Sequence, residues 1–137
     1  MKDPVFELCD VVRETAYAVH RYHGPGHLES VYENAMVHRL RKGGHKVEHQ
    51  KQLEVRDEDG TLLGRFYADI VVNDVLILEL KAARAVVNEH VAQILGYLRS
   101  SRMEHGLLLN FGAGKFYIKK FVLSDAMSDL REGWVAD

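Results

Sequence analysis

The amino-acid sequence predicts an α/β protein, a sandwich in which helices flank a mixed sheet. Up to Lys42 the apolar side chains recur every three or four positions, which is typical of helices with one buried stripe. From Val47 onward the pattern changes to short alternating or continuous apolar segments, which are typical of strands. One further helical pattern, at residues 86–101, interrupts these strands. The predicted order of elements is α α β β β α β β α.

Two helices are predicted at the start of the chain. The first runs from Pro4 to about residue 22, with Asp3 as its capping side chain, and ends in a cluster of glycine and proline at residues 23–26. The second spans residues 28–42 and stops at two glycines. The predicted buried stripe of the first helix consists of Val5, Leu8, Cys9, Val12, Ala16 and Val19. The predicted stripe of the second helix consists of Val31, Ala35, Met36 and Leu40.

Strands and helices alternate in the rest of the chain. Strands are predicted at residues 47–55, 62–72, 75–81, 106–111 and 116–123, with a short terminal helix after Ser124. The segment VLILEL at 75–80 is almost continuously apolar, as expected of a central strand that is covered on both faces. The helix at 86–101 is predicted to bury Val87, Val91, Ile94, Leu95 and Leu98.

Length and composition predict one cytoplasmic domain. The chain has 137 residues, of which 47% are apolar and 28% charged, close to the average of globular proteins. No apolar run is long enough to span a membrane, and the first ten residues lack the pattern of a secretory signal. The only cysteine, Cys9, excludes an intrachain disulfide and is expected in the core. A net charge of −2 argues against a protein that coats nucleic acid without sequence preference. It does not exclude a nucleic-acid enzyme, because metal-binding carboxylates in the site would contribute negative charge.

Two charged residues lie at the end of the predicted central strand, where buried apolar residues are expected. Glu79 and Lys81 end the run, and burying either of them alone would be costly without a partner or a metal. Asp69 lies in the preceding strand, so a hairpin would bring it close to Glu79. Two such carboxylates make a hard oxygen site suited to Mg²⁺ or Mn²⁺, and Lys81, on the same strand face as Glu79, could position an attacking water. The alternative is that Glu79 and Lys81 only mark the exposed end of a core strand.

This metal-site hypothesis sets a condition on the hairpin loop. Asp69 and Glu79 share a sheet face only if the numbers of directly opposite residues on the two strands add up to an even number. A two-residue turn at Asn73-Asp74 would give an odd sum. We therefore predict an odd-length loop or a bulge near residues 72–76.

Two helices supply further candidates. Glu29 lies in the first turn of the second helix, within a Gly-x-x-Glu-x-x-Tyr pattern that ends at Tyr32. The helix dipole could favour Glu29 there without any function, and Tyr32 and Glu33 could be ordinary half-buried positions. Gln93 and Tyr97 are four residues apart and share one face of the third helix, where an ordinary polar pair beside the core is the alternative.

Five segments together resemble a known family. In chain order GHLESVY, YADIVVND, LILELK, QILGYL and LLLNFG resemble the GxxExxY group of the PD-(D/E)XK nuclease superfamily. The resemblance covers roughly residues 12–123. It implies a restriction-endonuclease-like core within a single domain at 1–137, with a short helical tail at 124–137.

The resemblance also implies roles for individual residues. Asp69 and Glu79 would bind the metal, with the Leu80 backbone carbonyl and Glu29 as further candidate ligands. Lys81 would be the catalytic lysine, and Glu29 would belong to the catalytic set as the acidic residue of an N-terminal helix.

Supporting residues are implied in the same way. Gln93 and Tyr97 would support the site or contact DNA, as would Tyr32. His20 is a candidate because related nucleases sometimes supply a metal-binding histidine from an N-terminal helix, and His23 and His27 are weaker ones. The remaining histidines are expected to be solvated: His38, His45, His49, His90 and His105. A basic stretch could track a phosphate backbone or be an ordinary solvated helix end: Arg39, Arg41, Lys42, Lys46 and Lys51.

The resulting functional hypothesis is a Mg²⁺- or Mn²⁺-dependent nuclease that acts on nucleic acid, with DNA favoured over RNA and no membrane partner. Two alternatives stay open: a non-catalytic module that binds nucleic acid or protein, and a defence or repair subunit that is active only with a partner. A homodimer is also considered, with the strand around Leu107 and the tail around Trp134 as candidate contacts. Neither the mode of cleavage, endo or exo, nor strandedness, sequence specificity or pathway follows from the sequence.

Overall fold

The computed structural model describes residues 3–123, which form three helices and five strands. The helices are α1 (Pro4–His23), α2 (Glu29–Lys42) and α3 (Asn88–Ser101). The strands are β1 (Val47–Arg56), β2 (Leu62–Val72), β3 (Leu76–Lys81), β4 (His105–Asn110) and β5 (Tyr117–Val122). The first eight predicted elements are confirmed in type and order. The predicted terminal helix and Trp134 lie outside the described residues.

The strands form one mixed sheet in the order β1-β2-β3-β4-β5. β3 and β4 are parallel and are connected through α3, while the other neighbouring pairs are antiparallel. The predicted fold class, an α/β sandwich with a mixed sheet, is therefore confirmed.

Helices cover both faces of the sheet. The α1 and α2 side chains pack with Leu76, Leu78 and Leu80 of β3 in one core, whereas α3 packs with Ile77 of the same strand in a second core. All three of these leucines and Ile77 are fully buried. β3 is therefore the central strand that its continuous apolar sequence predicts.

The prediction for α1 is confirmed in detail. Asp3 Oδ1 accepts a hydrogen bond from the Val5 backbone N–H at 3.0 Å, so the predicted cap is present. The buried residues of the helix are the six predicted ones, Cys9 included. This stripe packs against α2 and against β4 in a shared core.

For α2 the predicted stripe is partly wrong. Met36 and Leu40 are buried as expected, but Val31 is 36% exposed, and Tyr32, Glu33 and Val37 are buried instead. The helix contacts α1 as well as β1, β2 and β3, so its buried surface is wider than a single stripe. Tyr32 and Glu33 lie on this wider buried surface of α2, and Glu33 faces the candidate site between β2 and β3.

Two smaller expectations are corrected. Val87 is 46% exposed, because it precedes α3 as its N-cap residue instead of lying within the helix. Leu107 is only 2% exposed in the interior strand β4, so it is covered within one chain and is not a contact for a second copy. Among residues 3–123 we find no helix with the length and apolar character to cross a membrane.

Candidate active site

The sheet forks between β2 and β3, and the predicted carboxylates lie at the fork. Pairing of these two strands ends at Ile70 and Leu78, whereas β2 continues beside β1 and β3 continues beside β4. Beyond the last pair, side chains take the place of the backbone ladder. The Asp69 N–H donates to Glu79 Oε1 at 3.2 Å, and the Leu80 N–H donates to Asp69 Oδ2 at 2.8 Å. Each carboxylate thus accepts a backbone N–H that the separated strands leave without a carbonyl.

The loop between β2 and β3 meets the predicted condition. Val72 pairs with Leu76, so three residues, Asn73 to Val75, connect the strands. The backbone turns through positive φ values of 51° at Asn73 and 61° at Asp74. Extending the observed register by one step beyond Ile70 and Leu78 places Asp69 opposite Glu79. The residue numbers of opposite residues therefore have the even sum that puts both carboxylates on one sheet face. The predicted odd-length loop is confirmed.

Helix α2 adds two carboxylates to the fork. Oxygen atoms of Glu29, Glu33 and Asp69 all lie within 4.8 Å of one another. Glu29 is in the first turn of α2, and Glu33 follows one turn later, so both point to the same side of the helix. Sequence reasoning identified Glu29 and considered Glu33 an ordinary half-buried position. The signal that could have found Glu33 is its i+4 spacing from Glu29.

Crowding of these groups alters their titration. Burial, reinforced by the negative charge of Asp69, raises the pKa of Glu29 above its ordinary value. Burial likewise raises the pKa of Asp69, and the nearby Glu33 adds to the effect, while the Leu80 N–H opposes it. A divalent cation would relieve this repulsion, so the cluster has the charge expected of a cation site.

Glu79 has the most strongly shifted titration. Its side chain is 2% exposed, and burial together with the negative charge of Asp69 raises its pKa to about 9. Near neutral pH and without a cation, the Asp69–Glu79 pair therefore retains a proton, as expected of two carboxylates that share one site.

The third predicted group, Lys81, points towards α3. Its Nζ donates to Gln93 Oε1 at 2.8 Å, and the Gln93 side-chain amide in turn donates to the Tyr97 hydroxyl at 2.9 Å. The Tyr97 ring stacks on Phe66 of β2, with centroids 4.2 Å apart. This series of contacts spans the fork from β3 to α3 to β2 and fixes the ammonium beside the carboxylates.

Two residues of β1 complete the site, and sequence reasoning missed both. Gln50 Nε2 donates to Glu33 Oε1 at 2.8 Å and lies 3.5 Å from Asp69 Oδ1. His49 Nε2 lies 2.9 Å from the same Glu33 oxygen, so this histidine is a partner of the cluster and the expectation of a merely solvated ring was wrong. Gln50 has a positive φ of 55° between two regularly paired residues, which is unusual for a non-glycine residue within a strand.

The structure places Tyr32 and His20 beside the fork, in the packing that supports it. The Tyr32 hydroxyl donates to the Gly24 carbonyl at 2.6 Å and accepts from the His27 N–H at 3.2 Å, and its ring stacks on Phe111. These bonds hold the turn from which Glu29 begins α2. His20 Nε2 lies 2.8 Å from the Ala113 carbonyl oxygen. Within residues 3–123 neither side chain has a hydrogen bond to the carboxylate cluster.

Comparison with known proteins gives the family. The sequence profile of the PD-(D/E)XK nuclease superfamily matches residues 6–121, most of the chain. The chain belongs to the PD-(D/E)XK nuclease superfamily. Proteins of this superfamily are typically nucleases. No curated protein sequence matches the chain.

A solved structure supports the fold of this PD-(D/E)XK domain. The crystal structure of SSO0001 is similar with a TM-score of 0.55 and 15% sequence identity, over 76% of this chain. The chain spans 55% of the length of SSO0001. The mixed sheet and its helices are thus consistent with a restriction-endonuclease-like fold.

The donor set of this PD-(D/E)XK domain fits a divalent metal. Nucleases of the superfamily generally use divalent ions, and three convergent carboxylates offer the hard oxygen ligands that Mg²⁺ and Mn²⁺ prefer. Leu80 offers a further oxygen on the same side, because the N–H and C=O of one strand residue point in the same direction and its N–H bonds Asp69. Glu29, Glu33, Asp69 and the Leu80 carbonyl could therefore hold an ion. Glu79, the other predicted ligand, is not one of the three clustered carboxylates and contacts the Asp69 backbone.

Proposed function

We propose that this protein is a Mg²⁺- or Mn²⁺-dependent nuclease that hydrolyses phosphodiester bonds in DNA, with Asp69, Glu79 and Lys81 at its catalytic centre. The observation that carries the proposal is the meeting of these three groups at the fork, where Asp69 and Glu79 exchange contacts across separated strands. A core strand that merely ended at the surface would not require a nearly fully buried glutamate.

Each carboxylate has a role under this proposal. Asp69 and Glu79 would bind the cation, and Glu29 and Glu33 would add ligands beside Asp69. Glu79 would also hold Asp69 in place through the Asp69 N–H. When bound, a divalent ion supplies the positive charge that polarises a phosphoryl oxygen and lowers the pKa of an attacking water. His49 and Gln50 hold Glu33 in its orientation, in the manner of the supporting residues around other metal sites.

Lys81 would act on the reacting groups directly. Its ammonium can orient an attacking water and stabilise negative charge that develops on the phosphoryl group. Gln93 accepts from one of the three N–H groups of Nζ, and within residues 3–123 Nζ has no other hydrogen bond, so two N–H groups could point at the substrate. Tyr97 fixes Gln93 and is itself fixed by its stacking on Phe66.

A cleavage assay tests the proposal. Wild type, Lys81→Ala and the control Lys119→Ala on β5 would be incubated with single-stranded, double-stranded and branched DNA, and with RNA, in Mg²⁺, Mn²⁺ or EDTA. Metal-dependent cutting of DNA by wild type and Lys119→Ala, with loss in Lys81→Ala, is the expected result. Absence of cutting by folded wild type on every substrate would contradict autonomous nuclease activity, and cutting of RNA alone would contradict the assignment of DNA.

A further inference from the structure

A surface pocket adjoins the carboxyl ends of β3 and β4. It has a volume of about 430 Å³ and lies between the loop that follows β3 and the loop that joins β4 to β5. Arg84 and Lys115 line it, together with Tyr117 and Asn110, and none of its described lining residues is acidic. The pocket thus concentrates positive charge in a chain whose net charge is −2.

The cations of this pocket have no partners within the part of the chain that the structure describes. Arg84 and Lys115 form no salt bridge or hydrogen bond there, and both are exposed. Three of the five cations in the basic stretch around the end of α2 differ in this respect. Lys46 pairs with Asp74 at 2.9 Å, Lys51 pairs with Glu48 at 2.7 Å, and Arg41 donates to the Val47 carbonyl at 2.8 Å.

Hydrogen bonds and close packing join the two loops at the base of the pocket. The Asn110 side chain accepts from the Ala83 N–H at 3.0 Å and donates to the Ala83 carbonyl at 2.9 Å, so it ties the two loops together. Gly112 packs so closely that a Cβ there would lie 2.3 Å from the Ala83 nitrogen. Because both loops are fixed at their bases, the positions of Arg84 and Lys115 relative to each other are restrained before any ligand binds.

The pocket is also next to the catalytic centre. Lys81 is aligned with Asn110 at the same edge of the parallel pair β3–β4. Arg84 follows Lys81 by three residues, which limits their Cα separation to about 11 Å. A nucleic-acid strand carries one phosphate about every 3.4 Å of its axis, so a strand whose phosphodiester lies at Lys81 has further phosphates within reach of the pocket.

We infer that Arg84 and Lys115 form a phosphate-binding site that holds the nucleic-acid backbone beside the catalytic centre. Arg84 would bind a phosphate through its planar guanidinium and Lys115 as a point charge, with the Tyr117 hydroxyl as a further donor on the same pocket wall. The contact is to the backbone, so it would fix the position of the strand and carry no sequence preference. This inference rests on the proposed function, because it places a substrate in the same site.

Binding can be measured without cleavage. The Lys81→Ala background would be titrated in Mg²⁺ with a fluorescently labelled DNA duplex and with its single strand, over a series of salt concentrations. The variant Arg84→Ala/Lys115→Ala removes the two cations. The matched control Arg13→Ala/Lys119→Ala removes two cations from a different surface pocket. A third variant, Arg84→Lys/Lys115→Arg, keeps the charge.

The expected result is a loss of affinity of about tenfold or more for Arg84→Ala/Lys115→Ala, and a salt dependence reduced by about two phosphate contacts. The control Arg13→Ala/Lys119→Ala should lose less affinity than Arg84→Ala/Lys115→Ala. The charge-conserving variant Arg84→Lys/Lys115→Arg should have the same salt dependence as the Lys81→Ala background. Equal losses in both alanine pairs, or no loss in the Arg84/Lys115 pair, would overturn the inference, as would failure of the background protein to bind either probe. Because no strand is cut in these titrations, the result is independent of whether wild type proves to be a nuclease.

Discussion

Asp69 and Glu79 face each other across the point where β2 and β3 separate, and each stabilises the strand of the other. Glu79 Oε1 accepts from the Asp69 N–H at 3.2 Å, while Asp69 Oδ2 accepts from the N–H of Leu80, the residue after Glu79. The fork and the carboxylates therefore depend on one another. Where β2 and β3 separate, the N–H groups of Asp69 and Leu80 lack a partner strand, and the Glu79 and Asp69 carboxylates that accept them are thereby held at the fork.

This arrangement predicts an unusual pH dependence of stability for the metal-free protein. The pKa of Glu79 is raised from 4.5 to about 9, so its contribution to stability is complete below about pH 4.5 and is lost as the pH rises towards 9. Urea unfolding of wild type should therefore give a smaller free energy of unfolding at pH 8.5 than at pH 5.5, by about 1 kcal/mol or more. Glu79→Gln should lose much of this slope, and Glu54→Gln, at an exposed ion pair, should keep it. A Glu79→Gln slope equal to that of wild type would contradict the assignment.

Glu33 is predicted to be a metal ligand even though its sequence context did not single it out. Its carboxylate lies within 4.8 Å of those of Glu29 and Asp69. Glu33→Gln should weaken Mn²⁺ binding by about tenfold or more, measured by calorimetry, because it removes a charged oxygen from the cluster. Glu14→Gln, on the exposed side of α1, is the control and should bind as wild type does. Unchanged affinity in Glu33→Gln would leave Glu33 as a structural residue only.

Gln93 is predicted to position Lys81. Gln93→Ala should lower the rate of DNA cleavage by about tenfold, less than Lys81→Ala, for which we expect a loss of about a hundredfold or more. The double variant should be no slower than Lys81→Ala, since the two residues act through one contact of 2.8 Å. Single-turnover rates would measure both effects. Additive losses in the double variant would show that Gln93 acts independently of Lys81.

Much of the fold followed from the sequence because local periodicity determined it. The stripe of α1 marks one buried helix face and the continuous apolar run of β3 marks two buried strand faces, so the predicted burial agreed with the structure. The parity requirement at Asp69 and Glu79 was also predictable, since strand side chains alternate strictly. It gave an odd-length loop or a bulge near residues 72–76, and the structure has a three-residue loop at Asn73 to Val75.

The missed residues depend on tertiary contacts. Glu33 has the i+4 spacing from Glu29, but it turns inward because α2 packs against α1 and the sheet together, and the spacing alone does not reveal that packing. His49 and Gln50 reach Glu33 only because β1 is the neighbour of β2 and because its backbone bends at Gln50. No pattern in the sequence of β1 signals that bend.

The bend at Gln50 makes a prediction of its own. A non-glycine residue at φ 55° is strained, and glycine is not. Gln50→Gly should therefore be more stable than Gln50→Ala by about 1 kcal/mol in denaturant unfolding, although both lose the bond to Glu33. At Gln52, two residues along the same strand, the order should reverse, because glycine weakens an ordinary strand position. If the alanine variant were more stable than the glycine variant at both positions, Gln50 would not have the left-handed backbone conformation.

The central claim, that Asp69, Glu79 and Lys81 form a metal-dependent catalytic centre, is tested most directly by cleavage with Glu79→Ala. Folded Glu79→Ala and wild-type proteins would be compared on the same labelled DNA in Mn²⁺, with circular dichroism to verify the fold. We predict that wild type cuts in Mn²⁺ but not in EDTA, and that Glu79→Ala shows no cutting under either condition. Cleavage by Glu79→Ala at the wild-type rate would contradict the claim.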